Sequence, residues 1–343
     1  MQSLDCVFNI FIVPPPSRRI VLIQESPAKV RRFFRFNVLP SLAPATSSCG
    51  HLPMTIVHDA RCAEYGSSMR PEQPARVQQS AAHLKAAHPD WAWRVPALAP
   101  EETLLLAHTR QHLQRLQQPQ DFDADTPYFA GIYDHARRSV GAALEAMELA
   151  VAGQGPSFAL MRPPGHHAMA GQAMGFCYLN QVALAALAAR QRGVARVAIW
   201  DFDAHHGNGT EAIVEGRPGV LFASVHQYPG YPGTGTSNTA NCLNWPVAPH
   251  TPRAQHRDAL QRSWEAVLAF CPGLVLVSAG FDAYAHDPIT AMTLEGEDFA
   301  TLGHWLREAG LPAAAVLEGG YSPDLPLLID AFLTAWHKSP SPA

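Results

Sequence analysis

From residue 55 onward the chain alternates short, mainly apolar runs with longer segments whose apolar positions recur every three or four residues. The runs at 55–59, 157–162, 196–200, 220–225, 274–278 and 313–317 predict strands. They are too short for core helices and lack strict alternation with polar residues, so both faces of each strand must be covered. The amphipathic segments at 74–88, 101–117, 132–152, 178–192, 252–270, 296–309 and 326–336 predict helices. Pro74 stands near the start of the first, and Gly193 closes the fourth, where a left-handed cap belongs. Strands alternating with helices argue for a parallel sheet with helices on both faces, in one α/β domain.

Residues 1–53 break this pattern. They carry PPP, the basic-aromatic stretch KVRRFFRF and a loose Pro/Ser/Ala/Cys tail before Met54 opens the first strand. Residues 1–53 therefore read as an N-terminal extension, poorly ordered or a misassigned start, and residues 54–343 as the folded domain. A membrane-touching arm is the second reading of the basic-aromatic stretch.

Composition narrows the function. The chain has 343 residues, 47% hydrophobic and 16% charged, enough apolar material for a large core. A net charge of −4, with no clustered basic residues beyond KVRRFFRF, argues against nucleic acid as a partner. No apolar run approaches the roughly 20 residues that span a membrane, and the start lacks a signal-peptide pattern, so the expected location is cytoplasmic. The six cysteines form no CxxC pair and read as reduced thiols. Seventeen histidines is a high count, and several flank glycine or aspartate, which suits metal binding or proton transfer.

The chemistry gathers just after predicted strands: RPPGHHA at 162–168, DFDAHHG at 201–207, SAGFD at 278–282 and EGGY at 318–321. In a doubly wound sheet those strand ends face one crevice. Asp201, Asp203 and His205 occupy alternate positions after a buried strand, which presents Asp203 and His205 together. With Asp282 as third ligand and one position open, two carboxylates and one imidazole make a catalytic rather than structural zinc site. Such an anionic ligand set acidifies bound water weakly, so a separate base and an extra electrophile are needed. One of the adjacent imidazoles His166 and His167 can serve as base, and the Tyr321 hydroxyl can donate to a developing oxyanion. Metal, base and oxyanion donor together describe hydrolysis of an amide or ester.

RPPGHHA, MGFCYLN, DFDAHHGNGT, YPGTG, SAGFDA and EGGY, in this order, resemble the histone deacetylase superfamily. YPGTG, EGGY and the asparagine of HHGNG are most similar to its class II branch and bacterial relatives, the acetylpolyamine amidohydrolase and histone deacetylase-like amidohydrolase group. The resemblance implies an arginase-like fold with a central, mostly parallel eight-stranded sheet. It implies one Zn²⁺ held by Asp203, His205 and Asp282, His167 as general base, His166 as its electrostatic or acid partner, and Tyr321 polarising the acyl carbonyl. Phe176 and Tyr231 would wall a tunnel, the Gly175 backbone would meet the substrate amide, and a structural K⁺ or Na⁺ would sit near Asp201, Asp203, His205, Ser224 and Val225. Asp201 would also hold His166.

The expected activity is zinc-dependent removal of acetyl or other acyl groups from acyl-lysine or a related N-acylated amine. The nearest rival is acetylpolyamine deacetylation, with Asp125 in the acidic segment 121–125 at the rim. A non-catalytic acyl-lysine binding protein and a binuclear ureohydrolase are the other classes considered; the sequence leaves homo-oligomerisation open. Two departures stand out. Asn208 replaces the aspartate that one branch has behind its second histidine. Arg70 replaces the histidine of the family's HPE motif, at a place expected to lie away from the metal.

Overall fold

A computed structural model describes residues 52–337 of the chain, so the extension read at 1–53 lies almost wholly outside the described residues. Eight strands form one sheet: β1 (Thr55–Val57), β2 (Ala92–Arg94), β3 (Ser157–Ala159), β4 (Val197–Asp201), β5 (Val220–Gln227), β6 (Cys242–Val247), β7 (Leu274–Ala279) and β8 (Ala313–Leu317). Their order is β2-β1-β3-β8-β7-β4-β5-β6, and every neighbouring pair is parallel. The arginase- and deacetylase-like α/β architecture expected from the motifs is thus present, with a sheet that is parallel throughout.

The topology decides where the chemistry lies. From β3 the chain skips two places to β4, runs outward to the β6 edge, then returns to lay β7 and β8 into the gap. The four motif-bearing strands β3, β8, β7 and β4 are therefore consecutive in the middle of the sheet. All are buried along their length, as continuous apolar runs require. Since all strands run the same way, their four carboxyl ends open on one edge, at the point where strand order reverses.

Helices α4 (Ile132–Val151) and α5 (Gln181–Gln191) cover one face of the central strands. On the other face Trp200 of β4 meets Trp264 of α7 (Arg253–Ala269) at 4.7 Å and Trp305 of α8 (Gly296–Ala309) at 6.3 Å between ring centroids. Phe202, just past β4, packs on Phe281, on Phe299 of α8 and on Phe332 of α9 (Leu325–His337). This aromatic layer anchors the segment leaving β4 immediately beside the metal-ligand candidates.

Four elements differ from the sequence expectation. The helix expected at 101–117 is two, α2 (Glu101–Leu104) and α3 (Arg110–Arg115), because the chain between them serves a tertiary purpose. There His108 Nδ1 bonds the Met169 carbonyl at 3.0 Å, and its Nε2 accepts from the Asn180 amide at 2.9 Å, tying this turn to the loop before α5. Strands β2 and β6 were not foreseen, and both are edges. β2 is short and only partly buried, and β6 carries Pro246, which an edge strand tolerates because one side needs no donors. Soon after His205 the chain enters α6 (Asn208–Val214), a short helix not among those predicted.

Among the described residues no helix is long and apolar enough to cross a membrane, and Cys62, Cys177, Cys242 and Cys271 are unpaired thiols. Trp200 is fully buried and donates from Nε1 to Ser263 Oγ at 2.9 Å. Trp200→Ala is expected to destabilise the fold by about 3–5 kcal/mol in urea unfolding, through the cavity it leaves.

Candidate metal centre and active site

At the end of β4 the chain curls rather than continuing extended. Asp201 Oδ1 accepts the Asp203 amide at 3.1 Å, and Asp203 Oδ1 accepts the His205 amide at 2.8 Å. These two side-chain-to-backbone bonds bring Asp203 and His205 to the same place that strand alternation had suggested, by a different local geometry. Asp282 arrives from the end of β7, and its Oδ1 accepts the Ala204 amide at 2.8 Å. The Gly319 amide, beyond β8, donates to Asp203 Oδ2 at 2.7 Å. Three neighbouring strands therefore fix the two carboxylates before any ligand arrives.

Asp203, His205 and Asp282 offer ligand atoms that all lie within 4.8 Å of one another. His205 Nδ1 is 2.9 Å from Asp282 Oδ2 and 3.2 Å from Asp203 Oδ1. Both carboxylates are wholly buried, a state that demands positive charge nearby. Burial opposes charge on His205, but Asp282 and Asp203 outweigh it and hold its basicity well above the ordinary histidine value. Burial, then the neighbouring Asp203, raises Asp282 above the usual carboxylate range. Two buried carboxylates and an imidazole so close together form a donor set that could hold a metal ion. The space is also reserved by Gly280 and Gly319: a Cβ at Gly280 would collide with Asp203 Oδ2, and one at Gly319 with the oxygens of both carboxylates.

The adjacent histidines differ in state. His166 Nδ1 lies 3.1 Å from Asp201 Oδ2, and its Nε2 is 3.8 Å from Asp203 Oδ1. Burial works against its charge, yet the two aspartates prevail and push its pKa up to about 10. His167 is held well below the ordinary value by burial and by the charges of His166 and His205. Its Nδ1 is 2.8 Å from Asn208 Oδ1, whose amide end faces Met174 Sδ at 3.5 Å. An amide oxygen can only accept, so Nδ1 carries the proton and Nε2 keeps its lone pair. His167 is a neutral imidazole with a fixed tautomer.

Gly207 has an ordinary negative φ of −72° and caps α6. Its missing side chain matters because a Cβ there would strike Asp201 Oδ2. The cap positions Asn208 at the first helical residue, behind His167.

A pocket of about 290 Å³ leads to these groups, with His167, His205 and Tyr321 at its base. Phe176 and Tyr231 line it: the Tyr231 ring stands edge-on to His167 at 5.0 Å, and Phe176 to Tyr321 at 5.9 Å. Gly175 and Phe176 both have positive φ, +56° and +66°. Phe176 holds that unfavourable conformation with its amide donating to Thr126 Oγ1 at 3.1 Å. Burial keeps the Tyr321 phenol protonated well above its usual range. Asp125 and Ile289 complete the mouth.

Of the residues proposed for a monovalent cation, Asp201 on β4 and Ser224 on β5 are register partners, with Val225 next on β5. The Asp201 carboxylate turns to His166, while Ser224 Oγ meets His226 Nδ1 at 2.9 Å.

Sequence reasoning missed three supports. Glu318 of EGGY is fully buried; its Oε2 accepts the Gly165 and His166 amides at 2.6 and 3.1 Å, and its Oε1 accepts Ser278 Oγ at 3.2 Å. Burial pushes its pKa up to about 7. Arg76, on α1 (Ala75–Ala87), donates to the carbonyls of Gly320 and Glu318 at 2.7 and 2.5 Å and lies 4.7 Å over the Tyr321 ring. Glu72 joins Arg76 to the buried Arg162 at the RPPGHHA turn. Polar residues in a helical segment gave no signal of this reach. Arg70, expected away from the metal, instead lines the same pocket.

The comparisons with known proteins agree with this geometry. Residues 70–334 match the histone deacetylase domain model. An uncharacterized protein of Synechocystis sp. is 40% identical over 73% of this chain and 88% of its own length. The histone deacetylase-like amidohydrolase of Pseudomonas aeruginosa is 39% identical over 65% of this chain, which spans 64% of that relative. The crystal structure of an acetylpolyamine aminohydrolase from Burkholderia pseudomallei superposes with a TM-score of 0.76, at 26% identity, over 83% of this chain and 98% of that one. With its four central strand ends converging on one pocket and its sequence matched over most of its length, the chain belongs to the histone deacetylase family.

Proposed function

We propose that this chain is a zinc-dependent hydrolase that removes acetyl or other acyl groups from acyl-lysine or a related N-acylated amine. The observation that carries the reading is the juxtaposition of Asp203, His205 and Asp282 with a neutral, tautomer-fixed His167 at the base of one narrow pocket. Zn²⁺ would be held by those three side chains and, when bound, would supply Lewis acidity and a more acidic water.

The chain's own residues do the rest. His167 Nε2 takes the proton of the attacking water, and Asn208 keeps its ring oriented without giving it extra basicity. His166, charged and steadied by Asp201, supplies positive potential to the developing intermediate and a proton source for the departing amine. Tyr321 donates its hydroxyl hydrogen to the oxyanion, its loop fixed by Arg76. Phe176 and Tyr231 pack along the methylenes of the substrate and exclude water, and the Gly175 backbone meets the substrate amide. Asp125 at the mouth accepts an N–H or an ammonium. Asp201, Asp203, His205, Ser224 and Val225 form the proposed site for K⁺ or Na⁺.

Acetylpolyamine is the second reading, favoured by the acidic segment at the mouth and by the likeness to the Burkholderia protein. A panel of acetyl-lysine peptides, acetylspermidine and longer acyl-lysines, run with metal analysis, tests the proposal: no hydrolysis of any by zinc-loaded protein would sink it.

Asp282→Ala is expected to lose bound zinc and turnover together, read by metal stoichiometry. Tyr321→Phe is expected to keep zinc and lower kcat by about 10²–10³-fold. Asn208→Asp places a carboxylate behind His167, which stabilises its imidazolium and raises its pKa. Because the base works deprotonated, the acidic limb of the kcat/KM profile is expected to move to higher pH.

A further inference from the structure

The mouth of the pocket carries two opposite charges that do not neutralise each other. Arg70 and Asp125 both line it. Arg70 Nη1 donates to the Ala124 carbonyl at 2.9 Å, which holds the guanidinium against the backbone beside Asp125. Among the described residues neither Arg70 nor Asp125 forms an ion pair. The neighbouring acids are committed elsewhere: Asp123 Oδ1 accepts the Asp125 and Thr126 amides at 3.0 and 2.6 Å, and Asp121 Oδ1 accepts the Tyr128 amide at 2.8 Å. Arg70 thus keeps most of its donor fork unused within a segment that offers three carboxylates.

A polycation entering this mouth gains from Asp125 and is opposed by Arg70. A substrate whose far end bears a carboxylate finds a fork of matching geometry in Arg70 and an acceptor for its amine or amide N–H in Asp125. The apolar walls accept the methylene spacer between the two ends.

We propose that Arg70 is a specificity-determining residue that receives a substrate carboxylate, so that the preferred substrate is an acylated lysine with its α-carboxylate free. The carboxylate belongs either to the free acyl-amino acid or to an acyl-lysine at the end of a peptide chain. This inference rests on the hydrolase reading above and adds the substrate class to it.

The test compares Nε-acetyl-lysine with N-acetylcadaverine, the same molecule without its carboxylate, in the zinc-loaded full chain. A short peptide ending in acetyl-lysine is run as free acid and as amide, and N-butylacetamide serves as a charge-free reference. The acid of each pair is expected to show kcat/KM about fivefold or more above its partner, through KM, with the gap closing as salt rises. The free amino acid and the peptide acid separate the two sources, and an advantage in either pair supports the carboxylate role. Arg70→Glu is expected to invert the preference, and Arg70→Lys to retain part of it. Equal or better turnover of N-acetylcadaverine by the native chain overturns the inference. So does a common loss on all substrates in Arg70→Glu, which would mark Arg70 as a brace for the Ala124 loop. Hydrolysis of N-butylacetamide without any advantage for the acids removes the Arg70 role alone, whereas inertness towards every compound removes the hydrolase reading and this inference with it.

Discussion

Four carboxylates, Asp201, Asp203, Asp282 and Glu318, are fully buried at the ends of three adjacent parallel strands, β4, β7 and β8, and the site is built around holding them there. Unpaired charge in a low-dielectric interior is strongly unfavourable. Here each carboxylate meets backbone amides: Asp201 from residue 203, Asp203 from residues 205 and 319, Asp282 from residue 204, and Glu318 from residues 165 and 166. The amides come from loops that leave different strands, so the same bonds that satisfy the carboxylates also lock the loops in register. The remaining negative charge calls for a cation, and the open side of Asp203, His205 and Asp282 is where one fits.

The pair His166–His167 shows how strictly local charge sets function. Two identical side chains, 4.1 Å apart between ring centroids, are driven in opposite directions. Asp201 behind His166 stabilises a proton, while Asn208 behind His167 accepts a hydrogen bond without contributing charge. Once His166 is charged, it further discourages a second proton on His167. Charge is favoured on one ring and disfavoured on the other.

A second layer of side chains keeps Tyr321 in place. Arg76 spans from its helix to the carbonyls around EGGY and stacks on Tyr321, and Glu72 ties it to Arg162 at the foot of the histidine turn. The histidine turn and the Tyr321 loop are thereby connected through one buried ion network. The pocket mouth has looser ties: Arg70 and Asp125 line it without an ion pair among the described residues.

The sequence by itself determined the elements of the central sheet, since fully buried parallel strands appear as apolar runs, and it determined which turns carry chemistry, since His, Asp and Gly packed behind such runs have little structural use. It also pointed to Asp203, His205, Asp282, His166, His167 and Tyr321, which the fold brings to one pocket. It did not disclose the edge strands β2 and β6, whose partial burial and Pro246 blur the periodic signal, nor the break between α2 and α3, which answers to His108 reaching a loop far along the chain. Only the tertiary structure decided the protonation of the two histidines, the roles of Glu318 and Arg76, and the position of Arg70 at the mouth. These depend on the distances between groups from different strands, and electrostatic interactions in a buried site are fixed by that spacing rather than by order along the chain.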